Sequence, residues 1–572
     1  MTRIAARNND MVRVRMNPDI FRARWFAGQR RRAPRGRQTT ITLALLCAAA
    51  LILGGCGVPS MFATRAGDFV AGFTSAVAGD EPQSVLIAQQ VLAAGGSAAD
   101  AVVAGYFAMS VGLPSAASLG GGGVCMISDA RTPSGKAKKT KPAVQTLIFT
   151  HGGGAKVAAP GNLRGMYALH AKYGELSWGR LLAPAESMAR FGFTVSKAMA
   201  VGLRASSRRI MAAPGLRLIF TDARGALLRA GDRLRQIDLA ATLSRIRRAP
   251  GRFIRGAQAA RLAAAYRQAG VPLTAAEVEN QRPEWQPPIS VRRRNQSAEF
   301  PPTPAGVVAA QMWAVLYRDG YWRDADDADK PHLVAEVTRR VFADTGVAFY
   351  RPSRVVRSAG TLVGAARMER LMASYRPETR TPWKAGAAAA RAAPAGQGSA
   401  GIIAADRFGL AVACAFTMNR PMGAARLVPR TGIVMAAAPD HAGRGAAVLG
   451  LMLLRLESQN QLEYLAVATG GAAAPVALVT TALGVMVDGF GLEAVQRQPR
   501  YFNDAVPDRV MVERGAAGEA VAKGLRAKGH TVQMVPSFGR LNGFICPRGF
   551  EGAESRCEVR TDPRGLGFAE GK

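Results

Sequence analysis

The stretch 394-PAGQGSAGIIAADRFGLAVACAFTMN-419 holds one serine, Ser399, between a glycine-rich approach and two apolar runs. A hydroxyl placed there is either a loop residue or a nucleophile, and its neighbours carry the decision. The runs 402-IIAA-405 and 410-LAVACAF-416 flank Asp406-Arg407-Phe408-Gly409. Asp at the first position and Gly at the fourth favour a type I turn. A simple hairpin on that turn sets Ser399 opposite Phe416, with Thr417 and Asn419 just beyond, unless a bulge intervenes. Two hydroxyls and an amide then share one end of a ladder, a set suited to nucleophilic chemistry.

Other residues that could do chemistry are less well placed. The five histidines, at 151, 170, 332, 441 and 530, form no metal spacing with one another or with cysteine, so no metal site and no cofactor is expected. The run 118-SLGGGGVCMISD-129 reads as a glycine loop feeding a strand; no Lys-Ser/Thr follows, which argues against a phosphate loop. Cys125 and Cys414 sit in apolar strand-like runs and read as buried thiols. In an oxidising compartment Cys546 and Cys557 would close a small C-terminal loop.

The elements that must position these groups belong to a long chain. Its 572 residues can bury a large core, and nearly half are hydrophobic, without collagen-like or heptad periodicity. The formal charge is +35, mostly from scattered arginine, with one cluster at 131-RTPSGKAKKTKP-142. No nucleic-acid-binding motif accompanies it, so a solvated basic surface is expected and no nucleic-acid partner. Arg-rich 30-RRRAPRGR-37 leads into 41-ITLALLCAAALILGGC-56. Its apolar part, about fifteen residues, is short for a bilayer span and suits a secretory signal. Leu53-Gly54-Gly55-Cys56 looks like a bacterial lipobox, in which Cys56 would be lipidated and anchor the chain to a membrane. An uncleaved signal anchor is the alternative; both readings place the body outside the cytoplasm, in the periplasm or at the cell surface.

Residues 57–80 read as a tether. Helices are expected over 84-SVLIAQQVLAAGG-96, which ends on glycines, and over 98-AADAVVAGYFAMSVGL-113 with its last leucine. Residues 160–280 and 306–346 read as mostly helical. The alanine-, glycine- and proline-rich run 384-KAGAAAARAAPAGQG-398 reads as an exposed, mobile linker or the arm of a cleavage loop.

With these segments in order, a likeness covers residues 81–570. The chain resembles the γ-glutamyltranspeptidases, an N-terminal-nucleophile hydrolase family. Gly95-Gly96-Ser97-Ala98-Ala99-Asp100-Ala101 looks like its GGNAxDA junction, and 120-GGGGVCMI-127 like its glycine-rich strand entry. 159-APGNLRGMYALHAKYGELSW-178, 272-PLTAAEVENQRPEWQPPI-289, 332-HLVAEVTRRVFAD-344, 498-QPRYFNDAVPDRVMVE-513, 529-GHTVQMV-535 and 561-TDPRGLG-567 follow in the family's order.

The resemblance implies a four-layer αββα sandwich, self-cleavage into two subunits that stay together, and a freed hydroxyl residue that carries its own base. An α-amino group titrates near about 7.7–8.0 and accepts the hydroxyl proton with no histidine required. Counting back from Thr417-Met418-Asn419 places the nucleophile at Ser399 and the cut at Gly398–Ser399. This divides the chain into a large-subunit-like region, 81–398, and a small-subunit-like region, 399–572. By the same resemblance Thr417 would bond the nucleophile's side chain and Asn419 would help fix the substrate. Gly470 and Gly471 would turn their amides to the oxyanion. On their own, Thr417 is equally a capping hydroxyl and the glycines equally a turn.

Several positions depart from the family pattern. Thr150, in 147-LIFTHGG-153, stands where an arginine would bind the glutamyl α-carboxylate, and the Thr-Thr-His sequence has become Ser399-Ala400-Gly401. Ala436, Ala437, Ala438 and His441 stand where polar and acidic groups would hold the α-amine, and the paired serines are absent from 444-RGAAVLG-450. Loss of these charge-assisted contacts removes selection for a glutamyl head group. The expected function is amide hydrolysis or acyl transfer on a γ-glutamyl peptide or another small amide. The alternative is an inactive homologue that serves as an envelope scaffold.

Overall fold

Strict alternation along the Ser399 hairpin decides what each strand face meets. Ala400, Ile402 and Ala404 enter one buried cluster, while Ile403 and Ala405 enter another, as side chains of period two must. Both faces are therefore covered, and the runs read as continuously apolar. The computed structural model describes residues 70–71, 73–131, 143–150, 159–348, 359–382, 398–438, 449–550 and 556–572. The leader with Cys56, the basic run 132–142, the linker 384–397 and His441 lie outside the described residues.

Two seven-stranded antiparallel sheets form the centre. In the first the order is Phe568–Gly571, Ala76–Gly79, Ser399–Ala405, Leu410–Thr417, Gly122–Asp129, Val144–Ile148 and Glu284–Gln286. In the second it is Val70–Ala71, Arg556–Arg560, Arg540–Ile545, Gln461–Thr469, Gly450–Leu456, Gln296–Phe300 and Ile289–Arg293. Ile403, Ala413 and Met126 of the first sheet pack against Leu451, Leu465 and Phe544 of the second. The helix Ala98–Gly112 and its neighbours cover the outer face of the first sheet through Val102, Phe107 and Tyr106. The helices Pro304–Trp313 and Ala473–Met486 cover the outer face of the second. The architecture is the αββα sandwich. Among the described residues, no helix is long and apolar enough to cross a membrane.

The helix Ala98–Gly112 starts where its sequence says it should. Ser97 accepts from the Asp100 amide, and Asp100 Oδ2 accepts from the Ser97 amide at 3.0 Å, a capping box. The same oxygen accepts from the amides of Glu175 and Leu176, which ties this helix to the next loop. Gly120 and Gly123 lie tight against backbone: a Cβ on the first would stand 2.3 Å from the Val434 carbonyl oxygen, and on the second 2.4 Å from that of Ala415.

The hairpin register differs by one residue from the expectation. Ser399 pairs with Thr417 rather than Phe416, and Ala405 with Ala411. The cause is Gly409, which adopts φ 91° behind a type I turn closed by its amide on the Asp406 carbonyl. A left-handed glycine there adds a residue to the loop as a G1 bulge, so Asp406 faces Leu410. Cys125 and Cys414 are also corrected. They are not free thiols but a disulfide, because the register of Leu410–Thr417 on Gly122–Asp129 sets them directly opposite, with Cα atoms 4.1 Å apart. Cys546 and Cys557 form a second disulfide.

Candidate active site

Ser399 is the first residue of its strand and is 2% exposed. Its hydroxyl has no hydrogen-bond partner among the described residues. The residue before it is held firmly. The Gly398 carbonyl oxygen accepts from the Met418 amide at 2.8 Å and from the Thr417 hydroxyl at 3.3 Å. Thr417 Oγ1 in turn accepts from the Asn419 amide at 2.8 Å, which leaves its own proton for the Gly398 carbonyl. In the intact chain Thr417 therefore touches the carbonyl next to Ser399, not the Ser399 side chain that the resemblance assigned to it.

Gly398 is held by shape as well. A Cβ there would lie 2.4 Å from the Arg420 carbonyl carbon and 2.7 Å from the Pro421 nitrogen. Its backbone thus runs in contact with the turn that follows Asn419. Asn419 has φ 62°, donates from Nδ2 to the Ala437 carbonyl at 2.7 Å, and keeps a buried Oδ1 without a partner.

The glycine pair reaches the same end of the molecule. Gly470 and Gly471 link the strand Gln461–Thr469 to the helix Ala473–Met486, with φ 111° and 79°. A Cβ on Gly470 would stand 2.9 Å from the Gly539 nitrogen. Their amides lie at the N-terminal end of a long helix, where the peptide dipoles favour developing negative charge.

Two residues that sequence reasoning missed join this turn to Ser399. Arg540 donates from Nη2 to the Ser399 carbonyl at 3.1 Å and to Thr469 Oγ1 at 3.4 Å. Buried Asp80 accepts from the Gly401 amide at 2.9 Å and from Thr469 Oγ1 at 3.4 Å. Asn542 donates to its other oxygen at 3.1 Å. Asp80 lies 321 residues from Gly401 in the chain, and no local pattern announces the pairing.

The positions expected to read a glutamyl group carry no charge. Thr150 is buried, and its carbonyl accepts from Gln281 at 2.7 Å. Ala436 and Ala437 are buried methyl groups beside Asn419.

The histidines need a correction, since the fold joins two that sequence spacing kept apart. His332 Nε2 donates to the Arg376 carbonyl at 2.8 Å, and its Nδ1 receives His530 Nε2 at 2.8 Å. Atoms of His332, His530 and Glu336 all lie within 4.8 Å of one another. Burial depresses the pKa of both rings, that of His530 to about 4. Glu336 is also bound by Arg339 at 2.7 Å and by Arg340. Those two guanidinium charges already neutralise the carboxylate and oppose a metal cation there.

The chain is similar to known proteins over most of its length. The family model described as Gamma-glutamyltranspeptidase matches residues 84–442 and 450–571. The Acylase ACY 1 proenzyme of Pseudomonas sp. (strain V22) is 28% identical over 497 residues, covering 80% of this chain and 87% of the relative. The glutathione hydrolase proenzyme of Escherichia coli (strain K12) is 23% identical over 544 residues, covering 86% and 90%. Among solved structures, cephalosporin acylase from Bacillus halodurans superposes with a TM-score of 0.71 at 21% identity, covering 90% of this chain and 98% of its own, a likeness of fold.

Proposed function

Since the chain belongs to the γ-glutamyltranspeptidase family, we propose that it is an amide-cleaving N-terminal-nucleophile hydrolase that frees Ser399 by cutting itself at Gly398–Ser399. The observation that carries this reading is the Gly398 carbonyl, which meets the Met418 amide and the Thr417 hydroxyl beside an unpartnered serine oxygen. Two donors on one carbonyl oxygen are what an attack on its carbon requires.

In the first stage Ser399 Oγ attacks the Gly398 carbon and loses its proton, and the carbonyl oxygen takes the negative charge. The C–N bond then breaks and the nitrogen is protonated, leaving Gly398 as an ester on Ser399. Water hydrolyses that ester, which yields a Gly398 carboxylate and a Ser399 with a free α-amine. Departure of Gly398 releases the Thr417 hydroxyl for the nucleophile.

In the second stage the neutral amine takes the Ser399 proton as Oγ attacks a substrate amide, with the Gly470 and Gly471 amides on the oxyanion. The leaving amine takes the proton back, and water or a second amine removes the acyl group. The Asn419 side chain would contact the substrate. The acyl group we infer is not the zwitterionic glutamyl head. Thr150 and Ala436–Ala438 supply neither cation nor anion for it, and the similarity to an acylase proenzyme supports a different acyl group. The leader 30–56 supports export and anchorage through Cys56.

The test is intact mass under denaturing, reducing conditions. Two fragments, the second beginning at Ser399, are expected, and Ser399→Ala should remain one chain. An uncut wild-type chain indistinguishable from Ser399→Ala would overturn the mechanism and favour the scaffold reading. For the cut protein, a γ-glutamyl anilide should turn over far more slowly than simple acyl anilides.

A further inference from the structure

The turn that presses on Gly398 is itself held from outside, by a residue no functional pattern includes. Between Asn419 and Ala425 three non-glycine residues, Asn419, Met422 and Ala425, have φ of 62°, 57° and 52°, and Gly423 has 53°. Side chains with a Cβ rarely adopt that region, and each instance needs surrounding structure to hold it. The holding group is Arg209, on the short helix Ser207–Met211 of the large-subunit-like region. Its Nη1 donates to the Pro421 carbonyl at 2.6 Å and its Nη2 to the Gly423 carbonyl. The Met422 amide donates to the Ser115 carbonyl at 3.0 Å from the same side.

Arg209 has no carboxylate partner among the described residues. Burial and the nearby Arg420 charge both lower its pKa. A half-buried guanidinium beside a like charge is a poor surface ornament. It is retained in a structure only where its fork of donors is used, here on two carbonyls two residues apart. The clamped Pro421 carbonyl is one peptide beyond the Arg420–Pro421 bond that a Gly398 Cβ would strike. The Met418 amide, which meets the Gly398 carbonyl oxygen, is the last donor before the turn.

We propose that Arg209 is a positioning residue for self-cleavage: its two hydrogen bonds hold the Asn419–Ala425 turn against Gly398, and so keep the scissile carbonyl on the Met418 amide. This rests on the self-cleavage reading for its effect on rate, but the clamp itself can be measured without any cleavage.

The experiment uses the full-length chain in two forms. In the cleavable form, Arg209→Ala should slow formation of the Ser399 fragment at least tenfold while the melting temperature stays close to the parent's. Arg209→Lys, which can donate to one carbonyl at a time, should fall between. In the Ser399→Ala background, Arg209→Ala should raise hydrogen exchange in peptides covering 416–424 and leave the helix Ala98–Gly112 unchanged. Unchanged exchange at 416–424 overturns the proposal whether or not the wild type cuts itself. Raised exchange with an unchanged cleavage rate also overturns it, by reducing Arg209 to a structural clamp. If exchange rises as expected but wild type never cleaves, the self-cleavage reading is what has failed, and with it the assigned role.

Discussion

Arg540 Nη2 lies 3.1 Å from the carbonyl oxygen of Ser399 and 3.4 Å from the hydroxyl of Thr469, so one guanidinium spans from the candidate nucleophile to the residue before the glycine pair. The two strands that supply those partners belong to different sheets. Together with the Asp80 carboxylate, which bridges the Gly401 amide and the Thr469 hydroxyl, it fixes the distance between the attacking oxygen and the amides meant to receive the oxyanion. A hydrogen bond from a charged donor is worth about 1.5–3 kcal/mol. Arg540→Ala is therefore expected to lower kcat/KM of the cut enzyme by about ten- to a hundredfold. Circular dichroism and intact mass of the same preparation check that folding and the cut survive.

Thr417 offers a prediction that separates the two stages. Its hydroxyl donates to the Gly398 carbonyl at 3.3 Å, a long bond beside the 2.8 Å bond from Met418. Thr417→Val should slow self-cleavage by about tenfold, less than the roughly hundredfold or more for loss of a well-placed oxyanion donor, because the bond is long. Thr417→Ser keeps the donor and should cut at close to the parent rate. Time-resolved mass spectrometry of freshly synthesised chain reads both.

Glycine at 470 is tested by adding one carbon. A methyl there enters a position of φ 111° and stands 2.9 Å from the Gly539 nitrogen, so the turn must move. Gly470→Ala should leave the Gly398–Ser399 cut intact while amide turnover drops by about a hundredfold or more, as for loss of a preorganised donor. Loss of the cut as well as turnover would show that the turn serves the precursor too.

The pair His332–His530 predicts how stability depends on pH. Burial depresses His530 to about 4, helped by His332, Arg339 and Arg380, and opposed by Glu336; Lys528 also depresses His332. In an unfolded chain histidine titrates near about 6.5. Between those values the unfolded chain binds a proton that the folded chain refuses, so stability is full above about pH 6.5 and falls as pH drops toward 4. The melting temperature should decline over that window, and His530→Gln should flatten the decline. A melting temperature with no slope there, in wild type and variant alike, would contradict it.

How far the sequence could be read depends on the range of each interaction. Local patterns located the Ser399 hairpin and the helix that starts at Ala98, since each is fixed within a few residues, whereas the glycine pair was placed through the resemblance. The register error at Ser399 came from Gly409, where one left-handed residue shifts every pairing along the ladder. Cys125 and Cys414, His332 and His530, and Asp80 and Gly401 are brought together only by sheet order and packing. Arg209 and Arg540 were illegible for a further reason: among 75 basic residues, nothing in composition marks the two that face carbonyls rather than water.

The bond between Cys125 and Cys414 joins a residue before position 398 to one after it, whereas Cys546–Cys557 lies wholly on the later side. A chain severed at Gly398–Ser399 would thus remain a single covalent molecule. On a gel without thiol it would migrate as though never processed, and the two pieces would part only once that one bridge is opened. A severed chain built this way could not shed either half by dilution, heat or denaturant alone, and a preparation judged unprocessed on a non-reducing gel would be misread.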